Sequence, residues 1–383
     1  MKKLLQSAIV PALALLSLAG LSSCHDYSPD DPLPEQYTAS VFTGNNNQMV
    51  YSVDTKSGEV KWKTHVDGAV QATPVLYNSA LWVITVNGHL YKLSYKTGEV
   101  ISDREFNVTD VEGTPLPYNG NLLVPAGNTL YYINTGTLED IWTFNAGGII
   151  SSSPAMHNIP GIAEPAIFIS TMSNRVIALD VDGNQLWQFS PAGGQGFYSS
   201  PCAVNDSFIY IGNKNGSLYA INTQNGTQKW AFTTVNGGQI LSSPIQIGGN
   251  VLFGSNDRYF YSVDSATGLL RWRVQTADII TSSPAVANQY VYFGSYDGNV
   301  YCVDIIDGHI KWTRQTFGLI NASPLVYKDA VYIGSYDKNL YKLDTADGGE
   351  FWVRNLQGQM KASAILDTVG GAIVPSISGD YKY

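Results

Sequence analysis

Cysteine is scarce in this chain, with only Cys24, Cys202 and Cys302 in 383 residues, so disulfide staples are not what holds the fold. No two cysteines are adjacent, and the five histidines, His25, His65, His89, His157 and His309, stand nowhere at metal-ligand spacing. There is no Gly-x-Ser-x-Gly elbow and no phosphate-binding loop, so the sequence carries no nucleophile or nucleotide motif. Charge is sparse as well, at 14% of residues, and 22 basic against 31 acidic side chains leave a net charge of −9. Clustered Lys and Arg are what hold a phosphate backbone, so nucleic acid is excluded as a partner. Long apolar runs are missing everywhere except at the N-terminus.

That exception reads as export. Lys2 and Lys3 precede an apolar run from Leu4 to Leu21, followed by Leu21-Ser-Ser-Cys24. A basic start, a short apolar segment and small residues describe a signal peptide over residues 1–23, not a membrane span. The four closing residues resemble the lipobox of bacterial lipoproteins, which implies that Cys24 is acylated and anchors the mature chain to a membrane. Residues 24–38, rich in Asp, Glu and Pro, then form a flexible tether, and pattern begins at about residue 39. Removing the signal leaves 20 basic against 31 acidic residues, a net of −11. Cys202 and Cys302 occupy different positions in units two apart, beyond bridging distance, and read as small buried hydrophobes.

What is abundant is a repeat. Trp62, Trp142, Trp187, Trp230, Trp272, Trp312 and Trp352 recur at intervals of about forty residues, and one place is skipped, at Ser102. Each unit has the same internal grammar. A first strand opens with small residues and Pro, as in Ser282-Ser-Pro284, and appears eight times, the last as a degenerate Ala362-Ser-Ala364. A second strand of the type Val331-Tyr-Ile-Gly334 follows, then a tight Asp-Gly or Asn-Gly turn. The third strand carries Tyr in seven of eight units, and a Gly turn leads to the fourth strand and its Trp. The period, the alternation and the turns predict an all-β, eight-bladed propeller of four-stranded antiparallel blades over residues 39–383. Lys361-Ala-Ser-Ala-Ile-Leu366 supplies the first strand of the N-terminal blade, so both termini close the ring. The segment 371–376 looks like a ninth second-type strand, leaving the closing blade irregular.

The seven tryptophans hold one framework position, so they read as structural anchors rather than ligand platforms. Asp264, Asp304 and Asp344 recur at a strand-to-turn junction, where a side chain capping backbone amides is the expected use.

The unit Leu218-Tyr-Ala-Ile-Asn222, with Gly226 and Trp230, resembles the repeat of quinoprotein-like propellers. That family spans pyrroloquinoline-quinone dehydrogenases and the non-enzymatic BamB-type lipoproteins of outer-membrane β-barrel assembly. Chain size, lipobox and a single domain look like the latter, and the vicinal cysteines of the dehydrogenases are missing. The resemblance implies a non-catalytic, lipid-anchored scaffold for envelope proteins at the outer membrane, with no cofactor. The alternatives are a small quinoprotein oxidoreductase using the quinone with calcium, or a cell-surface glycan-binding module using exposed Tyr.

Candidate binding positions lie where the repeat is broken. One is the insertion 157–165, with His157, Asn158 and Glu164. Another is the extended connection 191–198, with Gln195, Phe197 and Tyr198. Loops of this kind on a rigid scaffold concentrate binding. Ser102 and the surplus C-terminal strand are the remaining irregularities.

Overall fold

A computed structural model describes residues 38–203, 207–368 and 371–373. Cys24, the expected signal peptide and all of the expected tether but Thr38 lie outside them. Their strands form eight antiparallel sheets, one per repeat, arranged as an eight-bladed propeller. Blades are numbered here in chain order and strands within a blade from the axis outward. Blade 6 is typical, with strands Ile245–Ile247, Asn250–Gly254, Tyr259–Asp264 and Leu270–Gln275. Blades 2, 3, 4, 5, 7 and 8 span 75–105, 116–145, 155–189, 202–233, 285–315 and 325–355.

Blade 1 is built from both ends of the chain. Ser40–Gly44, Met49–Asp54 and Val60–His65 are its outer strands, and Ile365–Thr368 is its first. The closing register pairs Val41 with Leu366 and Phe42 with Ile365. Gly371–Ile373 keeps neither second-strand place. It adds a fifth strand beside Ile365–Thr368, so the blade retains Ser40–Gly44 and the surplus segment is an extension. The part of that segment beyond residue 373 lies outside the described residues.

Second strands such as Ser40–Gly44 and Ala330–Gly334 are buried on both faces, because each blade is sandwiched between two others. The apolar side chains accordingly form a separate core at each seam between neighbouring blades. Fourth strands are mostly exposed, as outer edges must be.

The tryptophans clamp those seams. Each indole N–H donates to a backbone carbonyl in the third-to-fourth turn of the next blade, over 2.7–3.1 Å; Trp272, for example, reaches Ile305 and Trp352 reaches Thr55 across the closure. The same turn lays a positive-φ glycine flat on the ring. A Cβ on Gly98 would come within 2.5 Å of Trp62, and at the other six glycines within 2.6–2.8 Å of the facing ring. Trp and Gly are therefore one device with its halves on adjacent blades.

Ser102 shows what happens when half is missing. The glycine place it faces on blade 3 is Leu138, held at φ 63° and buried beside Trp82. Trp82 is fully buried in the second strand of blade 2. Aromatic bulk has moved inward by two strands, and Leu138 fills the room the indole leaves. Arg104 still ties the seam by donating to the Leu138 carbonyl at 2.7 Å and pairing with Asp140 at 2.8 Å. The gap in the repeat is thus a repacked seam.

Candidate functional site

The small-residue triplet that opens each first strand supplies a ring around the propeller axis. Its middle residue is always a hydroxyl: Thr73, Thr114, Ser153, Ser200, Ser243, Ser283, Ser323 and Ser363. The backbone N–H of each of the first seven donates to the hydroxyl of the next blade over 2.9–3.1 Å, giving seven links from Thr73 round to Ser363. Proline follows in seven triplets and has no N–H, so the hydroxyl link carries the inter-blade bond at this level. Ala364 breaks the Pro rule in blade 1, yet Ser363 keeps the link.

Two residues before each hydroxyl comes a second axial level: Gln71, Glu112, Ser151, Tyr198, Leu241, Thr281, Asn321 and Lys361. Together the two levels line a polar cavity of about 120 Å³. Lys361 is the one cation of this level and Glu112 the one anion. The Lys361 ammonium lies 2.7 Å from Glu112 Oε1, and it donates to Gln71 Oε1 at 2.9 Å and to the Tyr198 hydroxyl at 3.2 Å. Those partners come from blades 3, 2 and 5. Blade 5 stands opposite blade 1, so the side chains meet across the axis.

The two candidate loops point to opposite rims. Residues 157–165 join first to second strand, and the connection 191–198 joins blade to blade at the cavity mouth. The insertion is strapped to both neighbours: the Tyr118 hydroxyl of blade 3 donates to Glu164 at 3.2 Å, and Gln224 of blade 5 donates to the Pro160 carbonyl at 3.1 Å. Ile159 is buried in the seam core beneath it, while Asn158, Ile162 and Glu164 are exposed. Gln195 is exposed on the other rim. Phe197 corrects an expectation. It is 0% exposed, packed edge-on against Tyr219, because its backbone N–H bonds Thr171 and turns the ring inward. Tyr198 faces the axis, where its hydroxyl accepts from Lys361.

Most remaining polar chemistry belongs to the framework. Asp264 Oδ1 accepts from the Ala266 and Thr267 amides, and hydrogen bonds led by Arg271 hold its carboxyl down at about 2. Asp304 and Asp344 cap their turns in the same way. Third-strand tyrosines donate to the carboxylate four residues back, Tyr261 to Asp257 and Tyr301 to Asp297. Cys202 and Cys302 are free and buried, and burial raises their thiols to about 12 and about 11.

His89 is the histidine that sequence reading left isolated and the fold does not. Its Nδ1 lies 3.0 Å from Asp67 and its Nε2 2.7 Å from Asp103, with the Tyr91 hydroxyl 3.1 Å from Nδ1. Asp67 belongs to the connection leaving blade 1, so the pair bridges a seam. Burial opposes protonation, but the hydrogen bonds that the ring donates to Asp103 and Asp67 outweigh it and raise the pKa above that of an ordinary histidine. Positions 67, 89 and 103 follow no motif; only the stacking of blades brings them together.

The axial cavity is a poor match for the quinone cofactor of the alternative reading. That cofactor carries three carboxylates, whereas the axial cavity offers one cation already held by Glu112 and two other acceptors. Among the described residues no three or more His, Cys, Asp or Glu cluster as metal ligands.

The family model described as outer membrane protein assembly factor BamB matches residues 37–102, 172–278 and 261–381. A protein of that name from Moranella endobia is 26% identical over 255 residues, 63% of this chain and 64% of its own length. The chain thus spans less than two thirds of that relative. Among solved structures, BamB from Moraxella catarrhalis shares 15% identity at a TM-score of 0.50, covering 90% of each chain. Quinohemoprotein alcohol dehydrogenase from Comamonas testosteroni shares 14% at 0.64, over 77% of this chain and 68% of that one. Both are likenesses of fold alone. The family model covers well over half of the sequence, and the protein belongs to the family of outer membrane protein assembly factor BamB.

Proposed function

We propose that this protein is a non-catalytic scaffold of the bacterial envelope, anchored by lipid at Cys24, which presents its loops to proteins engaged in outer-membrane β-barrel assembly. One observation carries the reading. The recurring Trp, Tyr and Asp side chains are engaged in seams and turns, and the axis is crossed by the protein's own Lys361 and its partners. A ring this rigid is suited to holding loops in place.

The insertion 157–165 is the contact surface favoured by its geometry, because it is braced on two blades yet exposes Asn158, Ile162 and Glu164. Ile162→Asp puts a charge on the exposed tip while leaving buried Ile159 in place. Affinity capture from the native envelope should then recover less partner protein, with the thermal unfolding midpoint unchanged. Unchanged capture would remove the insertion from the contact surface.

A further inference from the structure

The first strand of blade 1 differs from the other seven in its covalent position. Blade 2 joins its first and second strands by a two-residue turn, Asn78-Ser79, whereas Ile365–Thr368 is separated from Ser40–Gly44 by more than 300 residues of chain. Finding its place therefore carries a loop-closure cost that the other blades do not meet. Cys202 and Cys302 are free, so neither covalently secures this joint. The strand itself is short, and three residue pairs make up its register with Ser40–Gly44.

We infer that Lys361 is the latch of the ring: it fixes the C-terminal strand in blade 1 by anchoring the segment just before it to blades 2, 3 and 5 across the axis. Four observations meet here. Lys361 is four residues ahead of Ile365 and two ahead of Ser363, which accepts the last link of the hydroxyl ring from Ser323. Its ammonium has three acceptors at 2.7–3.2 Å. Of eight equivalent axial positions, only this one and Glu112 bear charge. Both side chains are about four-fifths buried, with 20% and 23% exposure, so water screens the pair less than it would at the rim.

Ties to three blades make the strand's release a collective event. To leave blade 1, the C-terminal segment must withdraw an ammonium from a carboxylate, an amide oxygen and a phenol at once.

Hydrogen exchange of the full chain tests this. Lys361→Met keeps the length and apolar stem but removes the ammonium. Amides of residues 365–367 should then exchange about tenfold faster, while those of the third strands of blades 5 and 6 keep wild-type protection. Glu112→Gln should have a similar local effect, and the two changes together should add little to either alone. Exchanging the charges, Lys361→Glu with Glu112→Lys, should recover part of the protection that each reversal loses. Wild-type exchange at 365–367 in Lys361→Met, or an equal rise in every blade, would overturn the latch. So would full additivity of the two neutralising changes.

Discussion

At the scale of the residue, the seam device is a pair whose halves lie on adjacent blades, far apart in sequence but touching in space. The Trp of one blade needs the Gly of the next, because any Cβ there would enter the ring. Blade 2 shows the converse, with Ser102 facing Leu138. Ser102→Trp alone should destabilise the protein by about 1–3 kcal/mol through overpacking against Leu138. Leu138→Gly alone should cost about 2–4 kcal/mol for the cavity it leaves. The double variant should be more stable than the sum of the two losses allows, which a urea-denaturation double-mutant cycle measures. Strict additivity would show that the two positions do not share one space.

His89 gives the second residue-scale prediction. Its pKa is raised in the folded state, so its contribution to stability is complete below about 6.5, the unfolded value, and is lost as pH rises through the higher folded value. The stability difference between wild type and His89→Gln should shrink across that window. A difference that stays constant from about pH 5.5 to about pH 8.5 would rule out the Asp67–His89–Asp103 bridge as a titrating contact.

At the scale of the element, strand and turn chemistry was legible because each residue type answers a local need. Pro marks strand entry, Gly the positive-φ turn and Trp the outer strand, so the number of blades and the closure by both termini follow from counting. The hydroxyl ring was visible as a small-residue triplet, but its purpose was not, since the bond it makes is to another blade. Ser283→Ala removes the acceptor of the Ser243 amide and should cost about 1–3 kcal/mol for a buried donor left unpaired. Thermal denaturation measures it, and a loss near zero would mean that the ring does not bind the blades together. The candidate loops were legible as departures from the period. Their separation onto opposite rims was not, because chain order alone does not say which turn faces which way. Phe197 was misread for a related reason: a residue in a long connection can still be turned into the core by one backbone hydrogen bond.

At the scale of the whole molecule, function lies in what the ring leaves over after closing itself. The axial cluster of Gln71, Glu112, Tyr198 and Lys361 could have been found by aligning the eight units and reading the level two residues before each hydroxyl, where only Glu112 and Lys361 carry charge. It ties blades 1, 2, 3 and 5 together across the axis, and the contact surface proposed above lies at the rim. The net charge of −9 gives the surface an overall repulsion for other polyanions.

The measurement that bears most directly on the scaffold is crosslinking in the native envelope followed by affinity purification of the full-length protein. A scaffold of β-barrel assembly predicts that outer-membrane assembly proteins are recovered, and that Ile162→Asp depletes them. Recovery of glycan-uptake or oxidase components, with no assembly protein among the crosslinked partners, would contradict it.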